Sequence, residues 1–253
     1  MAATKRIKMI VPVPIPEQAI AGFAAQIPSH LIREDIEVDF VGTRNGANLL
    51  DSPYESTLAD VWVLEQGARA EEEGYSAVCI NSMSDSGLSA LRSRLAIPVV
   101  GPGRSSFHLA ADLGAKFSII TMWDRWQWIY EKLASATGLE NRMASIRHID
   151  TRPDTAELLA GKEEIVFNKL ETACRLAIDE DKADVLILGS TTMYQSHNWL
   201  SERLEVPILN PGLVAFKQCE MLIDLGLTHS RKDHMKPEQT KDALFDSVPT
   251  VFP

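Results

Sequence analysis

Two stretches of the chain carry one layout. "AVCINSMS" (Ala77–Ser84) is followed by "IPVVGPG" (Ile97–Gly103), and "VLILGSTT" (Val185–Thr192) is followed by "VPILNPG" (Val206–Gly212). Each opens with an apolar run of strand length, breaks into a hydroxyl-rich loop and helix, and resumes in a short strand that begins with proline. Pro98 follows Ser82 by 16 residues, and Pro207 follows Ser190 by 17. Both short strands run into Pro-Gly and then a helix, over Ser105–Leu113 in the first copy and Val214–Leu225 in the second. Such a repeat predicts two pseudo-symmetric lobes, residues 1–115 with 222–253 forming one and 116–221 the other.

The same alternation runs through the rest of the chain. "RIKMIVPVP" (Arg6–Pro14) reads as a first buried strand, and "FSIIT" (Phe117–Thr121) and "ASIRHI" (Ala144–Ile149) as later ones. Asp60–Glu73 reads as a helix with Val61, Leu64 and Ala68 on its apolar face, and Glu163–Asp181 as the longest helix. Continuous apolar strands alternating with helices predict an α/β fold, its parallel sheets flanked by helices. Ser82 and Ser190 then lie just past the carboxyl ends of strands, where open α/β sheets bind ligands. A cleft with one serine loop on each side is the expected arrangement of the two lobes.

The 253 residues suffice for such a pair of lobes. A net charge of −10 gives no general attraction for nucleic acid or an anionic membrane. No apolar run has the length of a membrane span, and Met1–Lys8 lacks the apolar core of a signal peptide. Three cysteines, Cys79, Cys174 and Cys219, are odd in number and lack metal-ligand spacing. They suit a reducing cytoplasm and argue against a disulfide framework.

With these stretches in view, the chain resembles the aspartate/glutamate/hydantoin racemase superfamily, in its hydantoin and allantoin racemase branch. The resemblance is carried by "AVCINSMSDSGL", "IPVVGPGRSSFHLAADLGAKFSIIT", "LGSTTM", "LSERLEVPILNPGLVAFKQCEMLIDLGLTHS" and "YES" at Tyr54–Ser56. It implies a cofactor-independent enzyme, commonly a homo-oligomer, that acts on a small molecule. Racemases of this family use two cysteines, one removing a proton from the acidic carbon and the other returning one from the far side.

Here the family's two cysteine positions align with Ser82 and Ser190. A thiol with a pKa near ~8.5 is partly ionised at neutral pH, whereas a serine needs an adjacent base. The flanks differ as well. The family's usual Ala-Cys-Phe-Gly-Asp becomes Asn81-Ser82-Met83-Ser84-Asp85, and Gly-Cys-Ala-Gly-Met becomes Gly189-Ser190-Thr191-Thr192-Met193. The first strand ends Val11-Pro12-Val13-Pro14 where the family usually has Asn-Pro-Asn. Changes this broad read as a natural divergence of function, without the two-thiol mechanism.

What remains is a set of hydroxyls and backbone N–H groups suited to a carboxylate or an enolate-like intermediate. Related arylmalonate decarboxylases and maleate isomerases hold a substrate carboxylate in similar loops. Ser82 and Ser190 are therefore the candidate catalytic residues. Asn81, Met83, Ser84, Thr121, Trp123, Thr191 and Thr192 are the candidate substrate contacts, and no cofactor or metal ligand is assigned. Asp85 reads as a helix cap, and Cys79 as a packing residue inside its strand. The ligand expected is a carboxylate or a cyclic amide. The resemblance favours an isomerase acting beside a carbonyl or carboxylate. The alternatives are a cofactor-independent lyase or decarboxylase, a hydroxyl-based hydrolase, and a non-catalytic binder on the same fold.

Overall fold

A computed structural model describes residues 4–153 and 163–251. The chain divides into two units: Met1–Gly101 with Ala215–Pro253, and Pro102–Val214. In the first, strands β1 (Lys5–Val11), β2 (Ile36–Gly42), β3 (Ala77–Ile80) and β4 (Val99–Val100) form a parallel sheet of order β2-β1-β3-β4. In the second, β5 (Phe117–Thr121), β6 (Met143–His148), β7 (Val185–Leu188) and β8 (Ile208–Leu209) form another, of order β6-β5-β7-β8. Substituting each strand by the one four places later converts the first order into the second, as the sequence repeat predicts.

The equivalence reaches single hydrogen bonds. Val78 N–H donates to Pro98 O and Leu186 N–H to Pro207 O, both at 2.9 Å. Each proline thus opens its short strand and presents its carbonyl to the neighbouring one. Strands β3 and β7 are buried throughout, which explains why both read as unbroken apolar runs.

Each sheet has its own core. In the first unit Ile10, Val78, Ile80 and Val99 pack with Val63, Leu88, Leu91 and Leu95 from the covering helices. In the second, Ile120, Leu186 and Leu188 pack with Leu170, Cys174 and Leu200. Phe107 meets Phe117 with ring centres 4.9 Å apart. Full burial of each large aliphatic side chain contributes about 1.5–3 kcal/mol relative to exposure. Among the described residues, no helix is long and apolar enough to cross a membrane.

Several boundaries differ from the sequence expectation. The first strand stops at Val11, because the prolines that follow cannot donate to a ladder. The helix expected over 60–73 instead spans Pro53–Gly67. Ser52 caps it by accepting Glu55 N–H, Pro53 occupies its first turn, and Gly74 at φ +84° closes the turns that follow. Its buried face is Ser56, Ala59, Val63 and Gly67, while Val61 is exposed. Prolines also open helices at Pro102–Leu113 and Pro211–Leu225, three residues earlier than expected. The longest helix, Glu163–Asp179, ends two residues earlier than expected.

The helix phase has a measurable consequence. Val63→Ala, in a fully buried position, lowers unfolding free energy by about 2 kcal/mol. Val61→Ala stays within about 0.5 kcal/mol of the parent. Urea unfolding of the two variants checks this, and equal losses contradict the phase.

Candidate functional site

Both serine turns are set by the strand that precedes them. The N–H of Asn81 donates to Ile10 O and the N–H of Gly189 donates to Ile120 O, both at 2.7 Å. Each bond extends its ladder by one residue and delivers the following serine at a fixed height above the sheet. The chain then turns in the same way twice. Asp85 N–H donates to Ser82 O and Met193 N–H to Ser190 O, both at 3.1 Å. Ser84 N–H donates to Ser82 Oγ and Thr192 N–H to Ser190 Oγ, both at 3.3 Å. The hydroxyls pair likewise, Ser82 with Ser84 at 2.9 Å and Ser190 with Thr192 at 2.8 Å.

Burial follows the same pattern. Ser82, Ser84, Ser190 and Thr192 are half-buried, whereas Met83 and Thr191 point inward. The repeated serine oxygen accepts a backbone N–H, which uses one lone pair and leaves the hydroxyl hydrogen for donation. Ser190 is thereby the cap of the short helical turn Thr191–Met193. In the first turn the chain of hydroxyls runs one residue further, with Ser84 Oγ 2.8 Å from Ser86 Oγ. Ser86 was not singled out by the sequence, although its i+2 spacing from Ser84 was visible.

Differences between the turns lie in what supports them. Behind Ser190, the Tyr130 hydroxyl donates to Gly189 O at 2.6 Å and lies 2.8 Å from Thr121 Oγ1. A carbonyl only accepts, so the tyrosine proton goes to Gly189 and Thr121 donates to Tyr130. Burial pushes the Tyr130 phenol well above its ordinary range and keeps that proton in place. A Cβ on Gly189 would lie 2.7 Å from both the Thr121 Cβ and the Tyr130 oxygen, so only glycine fits. Thr121 is wholly buried with its proton directed inward, and Tyr130 escaped sequence reading because it follows Thr121 by nine residues inside an amphipathic helix.

In the first unit the residue matching Gly189 is the buried Asn81. Asp85 adopts φ +50° and is not the cap of the following helix, Leu88–Arg94. That place is taken by Gly87, whose N–H donates to Asp60 at 2.8 Å. The Asp85 carboxylate lies instead against Gly101, where an added Cβ would come within 2.4 Å of it.

Other titratable groups serve elsewhere. Among the described residues, no histidine or lysine nitrogen hydrogen-bonds to Ser82 Oγ or Ser190 Oγ. His197 Nε2 bonds to Ile208 O at 3.0 Å, and His108 has its pKa lowered by burial and then by Arg104. All three cysteines are free and buried. Burial raises the Cys79 thiol pKa well above its usual value and that of Cys174 to about 12, against service as thiolates. Trp123 is half-buried beyond β5, its ring 6.4 Å from that of Trp126 in an edge-on pair. Among the described residues, no three His, Cys, Asp or Glu side chains converge to hold a metal.

Fold and turns define a twice-repeated parallel α/β architecture, in which ligands bind beyond the carboxyl ends of strands. The family model for Asp/Glu/Hydantoin racemase matches residues 17–219, and the chain belongs to that family, in its hydantoin/allantoin racemase branch. It is 31% identical over 208 residues to a hydantoin racemase of Pseudomonas sp. (strain NS671), covering 82% of each chain. To a hydantoin racemase of Paenarthrobacter aurescens it is 25% identical, covering 92% of this chain and 98% of that one. The solved structure of an allantoin racemase from Klebsiella pneumoniae superposes with a TM-score of 0.84 at 27% identity, covering 94% of this chain and 95% of the other.

The tyrosine link gives a test of how the second turn is held. Tyr130→Phe leaves a buried carbonyl and a threonine hydroxyl without their partner, at a cost of about 1–3 kcal/mol. Thermal unfolding of the variant is expected to show that loss, and an unchanged midpoint contradicts a supporting role for the hydroxyl.

Proposed function

We propose that the chain is a cofactor-independent, isomerase-type enzyme acting at a carbon next to a carbonyl or carboxylate of a small molecule. Ser82 and Ser190 occupy the places of the family's two thiols and act as hydrogen-bond donors. The observation that carries this reading is the repeated turn, in which a backbone N–H fixes each serine oxygen and a second hydroxyl pairs with it, so that hydroxyl donors are gathered at the turn. Donors held before the substrate arrives stabilise an oxyanion without reorganising during the reaction.

In this reading Ser84, Thr192 and the backbone of Met83 and Thr191 complete the two turns around the bound oxygens. Asn81 and Trp123 bound the ligand, and Thr121 acts through Tyr130 and Gly189 by holding the second turn. The serines are not the proton acceptors. A general base needs a pKa near the working pH, and among the described residues no histidine or lysine nitrogen hydrogen-bonds to either hydroxyl. Three free, buried cysteines suit a reducing cytoplasm, and the family resemblance points to a homo-oligomer.

The test is deuterium uptake at the carbon beside the carbonyl, followed by proton NMR with hydantoins, allantoin and amino acids in D2O. Uptake by the parent chain is expected. Ser82→Ala and Ser190→Ala should each slow it by about one to two powers of ten, the loss of one charged hydrogen bond. Ligand binding without uptake favours the binder on the same fold, and release of carbon dioxide or ring opening favours the lyase or the hydrolase. Loss of many powers of ten from either alanine change, with binding intact, would overturn the donor role and indicate an activated serine.

A further inference from the structure

The run of hydroxyls in the first turn ends on a buried one, that of Ser86. This residue is 1% exposed, and its Oγ lies 2.8 Å from Ser84 Oγ, which lies 2.9 Å from Ser82 Oγ. Both are ordinary lengths for O–H···O bonds. Ser86 stands between Asp85 at φ +50° and Gly87 at φ +69°, both in the left-handed region. An aspartate held there is strained, so the reversal that buries Ser86 is maintained against a cost. Its far end is fastened twice, where Gly87 N–H donates to Asp60 at 2.8 Å and Leu88 N–H donates to Asp85 O at 3.1 Å.

Hydrogen-bond capacity sets the direction of this run. A serine hydroxyl carries one proton and two acceptor lone pairs. If Ser82 donated to Ser84 and Ser84 to Ser86, the Ser86 proton would be buried without an acceptor, because among the described residues Ser86 Oγ bonds to Ser84 Oγ and to no other atom. A stranded buried donor carries its full desolvation penalty. Ser86 therefore donates to Ser84. Three hydroxyls joined by two bonds have one proton to spare, and this direction leaves it on the half-buried pair Ser82 and Ser84. A head-to-tail run, in which Ser84 passes its proton on to Ser82, is the arrangement whose bonds polarise one another. Ser82 Oγ then accepts the Ser84 hydroxyl and also the Ser84 N–H, the latter at 3.3 Å. Both of its lone pairs are taken, and its own proton is the spare one.

The second turn is not committed in this way. Four places beyond Ser190, where Ser86 stands relative to Ser82, is Tyr194, the first residue of the helix Tyr194–Ser201. The Ser190 and Thr192 hydroxyls are both half-buried and 2.8 Å apart, and among the described residues neither pairs with a third hydroxyl. Either of them can donate to the other. We propose that Ser86 is a positioning residue that makes the Ser82 turn a fixed hydrogen-bond donor, so that the ligand presents there an oxygen bearing no hydrogen. A carbonyl or carboxylate oxygen meets that condition, whereas an N–H or O–H group would find no free lone pair on Ser82. The reversible pair at Ser190 takes an acceptor or a donor alike. This rests on the reading of the two turns as the substrate site and gives the first of them a polarity.

Neutron diffraction from crystals of the perdeuterated full chain reads the direction of the run. The Ser86 deuteron is expected to point at Ser84 Oγ, and the Ser84 deuteron at Ser82 Oγ. A Ser84 deuteron directed at Ser86, or turned away from both neighbours, overturns the inference. Deuterium uptake by hydantoin-5-acetic acid in D2O then reads the consequence in Ser86→Ala and in Ser86→Cys, which keeps the side-chain volume but is a weak donor. Both changes are expected to slow uptake by about two- to tenfold, the effect of one neutral hydrogen bond. Uptake at the parent rate in Ser86→Cys, with Ser86→Ala slowed, assigns Ser86 to packing and overturns its role, as does an unchanged rate in both. The two readings fail separately. If the deuterons run outward while the parent chain takes up no deuterium, the proposed reaction fails and the polarity of the turn stands. If uptake proceeds and depends on Ser82 while the deuterons run inward, the reaction stands and the role of Ser86 fails.

Discussion

The last ladder bond of each central strand is the constraint on which the rest depends. Asn81 N–H to Ile10 O, and Gly189 N–H to Ile120 O, carry a rigid, fully buried strand one residue past its regular end. Because the sheet fixes that residue, the next one begins its turn at a set height. Half-buried serines with one lone pair committed to a backbone N–H follow from this geometry in both units. In the proposed function these serines donate hydrogen bonds to a ligand oxygen, and proton removal falls to another group.

The two units use one backbone plan with different supports. Around Ser190 the support is a tyrosine hydroxyl buried under a glycine that tolerates no Cβ. Around Ser82 it is a run of three serine hydroxyls, with an aspartate in the left-handed region packed on Gly101. A residue in that region costs energy unless the surrounding structure fixes it.

Much of this was legible in the sequence. Buried parallel strands write themselves as unbroken apolar runs, and the Pro-Gly and serine landmarks repeat at nearly equal distances, so the α/β class and the repeat could be read directly. The edge strand Ile36–Gly42 could not, because its half-exposed residues mix Glu37 and Asp39 with apolar ones. The phase of the helix Pro53–Gly67 was misread because small residues, Ser56, Ala59 and Gly67, form much of its buried face. Hydropathy weights such residues too little to mark a face. Tyr130 and Asp60 act through contacts set by tertiary packing, across nine and 27 residues of sequence.

The central claim is that the turns at Ser82 and Ser190 are the elements that hold the ligand. Titration of 15N-labelled protein with hydantoin-5-acetic acid, followed through the backbone amides, tests it most directly. The account predicts progressive, saturable shifts at residues 82–84 and at residues 190–192. Saturable shifts confined to other parts of the chain, with both turns unmoved, would contradict it.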